Sequence, residues 1–131
     1  MTILVTGAAG FIGNNFCQKL ANNKKFKLIG IDSFNNYYSV KIKRLRIKRL
    51  LKKKNFKFYQ INLKDKNKLK NLFKKYKFKE VYNFAAQAGV RYSEINPIAY
   101  IDSNVTGFIN LIKLSKDFNV KKFFYASSSS V

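Results

Sequence analysis

Apolar and polar residues follow one another in blocks whose period switches between two and three to four along the chain. Short runs rich in Ile, Val, Phe or Tyr, at residues 3–6, 27–31, 56–61, 80–84 and 121–126, predict five strands. Helical periods fill the gaps. One helix is expected over 11–22, with Ile12, Phe16 and Leu20 four residues apart, and another over 40–53. A third follows Asp65, an N-cap residue type, and carries Leu69, Leu72, Phe73 and Tyr76 on one face. The last is expected over 98–118, opened by Pro97, the only proline, with Ile101, Val105, Phe108, Ile109 and Ile112 on its apolar side. No internal repeat or linker interrupts the series. Strand–helix alternation joined by right-handed crossovers implies an α/β fold with a doubly wound parallel sheet, whose ligands bind at the carboxyl ends of the strands.

The chemistry starts at the first of those ends. The strand Ile3-Leu-Val-Thr6 runs into Gly7-x-x-Gly10-x-x-Gly13. Glycine permits the tight strand-to-helix turn and lets a pyrophosphate approach the backbone, while the first amides of the next helix point at the anion. Nineteen residues beyond Gly13 the second strand ends in Asp32, placed to accept from an adenosine ribose. Either signal alone is weak, since a glycine turn or a surface aspartate is common; together and in this order they indicate a dinucleotide. A carboxylate there repels a 2′-phosphate, which favours NAD over NADP, and Ser33, Phe34, Asn35 and Asn36 add no arginine to reverse the choice.

Composition adjusts this picture only in part. A chain of 131 residues, 47% of them apolar, can bury one core, and no apolar run reaches membrane-spanning length. The amino terminus lacks the pattern of a signal peptide, and the cytoplasm is the expected setting. One cysteine, Cys17, and no histidine leave no intramolecular disulfide and no ordinary zinc site, so no metal is expected; Cys17 reads as a small packed side chain. The formal charge of +21, from 27 Lys and Arg against six Asp and Glu, invites a nucleic-acid reading. Enrichment in Lys, Asn, Ile, Phe and Tyr together is instead what AT-rich codons produce. The densest basic stretch, 41–57, interleaves Ile42, Leu45, Leu50 and Leu51 as a surface helix with a buried stripe would. No specific nucleic-acid partner is expected.

Four stretches resemble one family. Val5-Thr-Gly-Ala-Ala-Gly-Phe-Ile-Gly13, Phe84-Ala-Ala-Gln-Ala-Gly-Val-Arg-Tyr-Ser93, Tyr100-Ile-Asp-Ser-Asn-Val-Thr-Gly107 and Tyr125-Ala-Ser-Ser-Ser-Ser-Val131 are similar to the extended short-chain dehydrogenase/reductases, the NAD-dependent epimerases and dehydratases of nucleotide sugars. Asn35-Asn-Tyr-Tyr38 and Gln87-Ala-Gly-Val-Arg-Tyr-Ser93 most resemble the UDP-glucuronate 4-epimerases among them. The resemblance implies a Rossmann-type fold, here with five strands and incomplete relative to the family. It makes Gly7, Gly10, Phe11, Ile12 and Gly13 the pyrophosphate turn and sets Asp32, Ser33, Asn35 and Asn36 around the adenosine ribose. Asn62 and Leu63 would flank the adenine; the family usually has aspartate at position 62, and asparagine accepts there with less electrostatic pull. Phe84, Ala85, Ala86 and Gln87 would line the cofactor after the fourth strand, and Ser103 would face it from the last helix.

The resemblance also implies the reaction: oxidation of a sugar C4 hydroxyl by NAD, rotation of the 4-keto sugar, and return of the hydride to the opposite face. Ser128 would hydrogen-bond the reacting hydroxyl, Ser129 and Ser130 would hold a uronate carboxylate, and Arg91 is a further substrate-binding candidate; four serines in a row also suit a plain polar end. The family's base is a tyrosine with a lysine four residues later, located beyond the serine run, and no tyrosine of residues 1–131 is assigned that role. The expectation is therefore an amino-terminal cofactor-binding portion without turnover, with a UDP-sugar as the partner of the whole and room for a homodimer in the full-length protein. A dehydratase or decarboxylase of another nucleotide sugar stays open, as does a non-enzymatic NAD- or nucleic-acid-binding domain.

Overall fold

The computed structural model describes residues 1–128. Five parallel strands, β1 (Thr2–Thr6), β2 (Lys27–Asp32), β3 (Phe56–Gln60), β4 (Glu80–Asn83) and β5 (Lys122–Tyr125), stand in the order β3-β2-β1-β4-β5. The chain winds outward from β1 to β3, then crosses back to β4 on the other side of β1. That reversal opens a crevice between the carboxyl ends of β1 and β4. Registers are pinned by pairs such as Val5 with Gly30 and with Tyr82. The sheet's strand spans agree with the expected ones to within one or two residues at each end.

Strand side chains alternate between the two faces, and each face has its own core. Ile3, Val5, Leu28 and Phe56 pack with Cys17 of α1 (Phe11–Leu20) and with Ile47 and Leu50 of α2 (Val40–Leu50). Leu4, Ile29, Ile31 and Val81 pack with Leu69, Leu72 and Phe73 of α3 (Lys66–Lys75) and with Leu111 and Leu114 of α6 (Phe108–Asp117). Two short helices, α4 (Tyr92–Ile95) and α5 (Pro97–Tyr100), lead into a π-helical stretch, Ile101–Gly107, that continues as α6. Asp65 caps α3 as expected, its carboxylate accepting the Lys68 amide at 3.1 Å. Cys17 is fully buried, and burial pushes its thiol up to about 12, which suits an inert packing residue.

Three helices bury a row shifted from the expected one and shared with it only in part. In α1 the buried residues are Gly13, Asn14 and Cys17; of the expected row, Phe16 and Leu20 are half-buried against the same core and Ile12 is 63% exposed. In α2 they are Lys43, Ile47 and Leu50, whereas Ile42, Leu45 and Leu51 face water. The expected helix over 98–118 runs without a gap as α5, the π-helical stretch and α6, but Ile101, Val105, Ile109 and Ile112 are exposed and Phe108 is half-buried, while Gly107, Leu111, Leu114 and Ser115 are buried. The cause is shared: each true row opens with a glycine or a lysine, so counting apolar residues undervalues it. Gly107 belongs inside because a Cβ there would lie 2.7 Å from Leu63 Cβ, and only its absence lets the helix rest on the segment that follows β3.

The corrected face of α2 yields a direct test. Ile47→Ala should cost about 2–5 kcal/mol, the range for truncating a buried aliphatic side chain, whereas Leu45→Ala, at a position 49% exposed, should stay within about 0.5 kcal/mol. Urea unfolding of the two variants reads the difference; equal losses would return the helix to the face expected from its periodicity.

Candidate functional site

The β1–α1 turn is built around a residue that tolerates no side chain. Gly7 has φ +66°, and a Cβ on it would lie 2.8 Å from the Phe84 carbonyl carbon and the Ala85 nitrogen. Thr6 fastens the same junction: its hydroxyl donates to Asn83 Oδ1 and accepts from the Ala85 amide at 3.1 Å. Gly10 caps α1, its amide donating to the Gly7 carbonyl at 2.9 Å. Gly13 is buried one turn on, where a Cβ would overlap the Gly7 carbonyl oxygen. The leading amides of α1, with no intrahelical acceptor, then face a surface stripped of side chains, which fits a pyrophosphate. Asp32 completes the turn from β2, Oδ2 accepting the Ala9 amide at 3.1 Å and Oδ1 the Phe34 amide at 2.9 Å.

A cleft of about 450 Å³ opens along the carboxyl edge of the sheet. Gly7, Gly10, Asp32, Ser33, Asn35, Asn36, Asn62, Leu63, Phe84, Ala85, Ala86, Gln87 and Ser103 all line it. They come from four inter-element segments and the π-helical stretch. Three others stand outside the lining: Phe11 and Ile12 are exposed at the start of α1, and Gly13 lies beneath the turn. Arg91 is exposed beside α4, away from the cleft lining. Ser128 is exposed beyond β5, on a segment that Ala126 ties to β4 through a 3.1 Å bond to the Asn83 carbonyl. Ser129 and Ser130 lie outside the described residues.

Polar side chains knit the walls together. Asn104 accepts the Gln87 amide at 2.8 Å and donates to the Gln87 carbonyl at 3.0 Å, fixing the π-helical stretch to the segment after β4. Asn35 donates to Gln87 Oε1 at 3.4 Å across the cleft, and Lys43 donates to Asn35 O at 2.8 Å and Oδ1 at 2.6 Å. Asn110 Nδ2 holds the Leu63 carbonyl at 3.0 Å, and Asn62 Oδ1 accepts the Lys64 amide at 3.1 Å. Burial pushes the Lys43 ammonium below the ordinary lysine range and nearby Arg46 adds to the effect, while Asp32 draws it back.

Periodicity and motif reading passed over Thr6, Tyr37, Lys43, Arg46 and Asn104. Lys43 and Arg46 were hidden in the basic stretch, and their signal was their spacing on the row of Ile47 and Leu50. Tyr37 also precedes Lys41 at the tyrosine–lysine spacing named above, although no tyrosine is assigned the role of base. Its ring walls the cleft, 4.9 Å from Tyr92, and Lys41 is exposed in the first turn of α2. Among the described residues no group of three or more His, Cys, Asp or Glu is arranged to hold a metal.

A glycine turn over a helix start, a carboxylate at the end of β2 and small residues along the opposite wall make a cleft of the kind that suits a dinucleotide, and the chain resembles proteins crystallised with one. The chain is 47% identical over 131 residues to Protein CapI of Staphylococcus aureus, covering 100% of this chain and 39% of that protein. It is 47% identical over 128 residues to a UDP-glucuronate 4-epimerase of Thermodesulfobacterium geofontis, covering 98% and 39%. Among solved structures, the UDP-glucuronic acid 4-epimerase of Bacillus cereus in complex with UDP-glucuronic acid and NAD superposes with TM-score 0.88 at 34% identity, over 100% of this chain and 41% of that one. The UDP-glucose 4-epimerase of Thermus thermophilus in complex with NAD does so with TM-score 0.82 at 27% identity, over 98% and 38%. The chain thus spans about two fifths of the length of these relatives. Residues 4–131 match the sequence model of the GDP-mannose 4,6 dehydratase family, and the chain belongs to that family.

Proposed function

We propose that residues 1–131 form the NAD-binding domain of a nucleotide-sugar 4-epimerase, with UDP-glucuronate the favoured substrate. One observation carries the reading: residues scattered from Gly7 to Ser103 converge on a single cleft at the strand reversal of the sheet. The bound dinucleotide would supply a hydride acceptor. The protein supplies the rest of the arrangement: the α1 amides and Gly7–Gly10 turn hold the pyrophosphate, Asp32 accepts from the ribose, and Asn62 with Leu63 flanks the adenine. Phe84, Ala85, Ala86, Gln87 and Ser103 bound the remaining length. The identity to a UDP-glucuronate 4-epimerase supports the choice of sugar.

Ser128 belongs to the reading as the group that hydrogen-bonds the sugar hydroxyl, supported by its place on the segment leaving β5 beside β4. The uronate is assigned to Ser129, Ser130 and Arg91 on the family resemblance. The general base is assigned outside residues 1–131, together with the substrate domain. A homodimer of the full-length protein is supported by the exposed row Ile101, Val105, Ile109 and Ile112 on successive turns. The cytoplasm and the absence of a specific nucleic-acid partner remain part of the proposal; no helix among the described residues is long and apolar enough to cross a membrane.

Calorimetric titration should find NAD binding to this chain, and Asp32→Ala should weaken it about tenfold or more, the size of a charge-assisted hydrogen bond. An unaltered affinity would remove Asp32 from the site. Residues 1–131 alone should convert no UDP-glucuronate, because general acid–base catalysis contributes about 10²–10⁴-fold and positioning more. Product detected by nucleotide-sugar chromatography would place the base within these residues. In the full-length protein, Ser128→Ala should depress kcat far more than NAD affinity; an undiminished rate would move the role to a neighbouring serine.

A further inference from the structure

Asp32 has company at the adenosine end of the cleft. Arg46 of α2 sends Nη1 to the Ala9 carbonyl at 3.1 Å and to the Tyr38 hydroxyl at 2.9 Å. The Ala9 amide is the group that Asp32 Oδ2 accepts at 3.1 Å. An anion and a cation therefore grip opposite ends of one residue. One turn earlier in α2, Lys43 is buried to 4% exposure, latched to Asn35 and seated 4.3 Å over the Tyr38 ring. Its ammonium feels the charges of both Asp32 and Arg46. The other acid lining the cleft, Asp102, is committed to Lys64 at 3.0 Å.

The local balance is thus one carboxylate against two cations, in a protein of formal charge +21. A carboxylate at this position selects NAD by repelling a 2′-phosphate, and a nearby arginine is what ordinarily welcomes that phosphate. Here both are present, on different elements. The hydrogen bonds of both groups go to neutral partners, Ala9 O, Tyr38 Oη and Asn35, and not to a carboxylate.

We propose that Arg46 and Lys43 constitute a latent 2′-phosphate subsite that Asp32 suppresses, so that the choice between NAD and NADP in this chain rests on one carboxylate set against two standing cations. The inference depends on the dinucleotide reading of the cleft and adds the residues that set its selectivity. With both cations already in place, removing one negative charge is enough to shift the preference toward NADP.

Calorimetry with NAD and with NADP on the 131-residue chain tests it, using Asp32→Asn and Asp32→Ser, each followed by Arg46→Met or Lys43→Met. Serine is the second route should asparagine disturb the turn, and circular dichroism confirms folding of each variant. Removing the charge should raise the ratio of NADP to NAD affinity about tenfold or more. Adding Arg46→Met or Lys43→Met should take that gain back, and the gain should shrink with added salt. A merely structural role for either cation would lower both affinities alike and leave the ratio where Asp32 removal put it, which overturns the proposal. An unchanged ratio in both folded Asp32 variants overturns it as well. Failure of the unmodified chain to bind NAD at all is a separate result, striking the cofactor reading itself.

Discussion

The whole arrangement hangs on how closely two stretches of backbone approach at the head of the sheet. Gly7 sits in the left-handed region with the Phe84–Ala85 peptide 2.8 Å from where its side chain would be. Thr6 and Asn83 lock the two strand ends together, and Thr6 also accepts the Ala85 amide. A substituent at position 7 would pry β1 from β4 just where the strand order reverses and the crevice opens. The cleft floor, the aim of α1 and the path of the segment after β4 all inherit this contact.

Polar side chains then do what the sheet cannot. Loops at strand ends have no ladder to fix them, so their position relative to one another depends on side-chain bonds. Lys43 to Asn35, Asn35 to Gln87 and Gln87 to Asn104 form a chain that runs from α2 across the cleft to the π-helical stretch. A buried ammonium is costly unless its donors are used, and the Asn35 loop is what uses them. The π-helical stretch adds its own effect: a widened turn at Ile101–Gly107 brings Asp102 and Ser103 to the cleft, while Gly107 lets the helix rest on Leu63.

Electrostatics gives the Asp32 end of the cleft a character that its motif does not convey. Asp32 is paired with the turn amides, while Arg46 and Lys43 arrive from a helix read from sequence as a solvated basic face. Most of the positive charge of α2 does face water, as Lys41, Arg44, Lys48 and Arg49 show, whereas Lys43 lines the cleft and Arg46, outside the lining, bonds the Ala9 carbonyl. Which row of this basic helix turns inward therefore decides which cations stand near Asp32.

By itself the sequence determined the strands, the doubly wound α/β class, the glycine turn with Asp32, and the inward face of α3, where Leu69, Leu72 and Phe73 leave no competing row. Those features are local: a strand's composition, a turn's need for glycine and an unbroken apolar stripe are each written within a few residues. Tertiary structure decided the inward faces of α1, α2 and α6, because rows opened by Gly13, Lys43 and Gly107 look polar or empty until the neighbouring surface is known. It also decided that Arg46 meets Ala9 and that Lys43 meets Asn35, across separations of 37 and eight residues. A glycine is buried for the closeness it permits and a lysine for the loop it holds, and both reasons lie in residues on other elements.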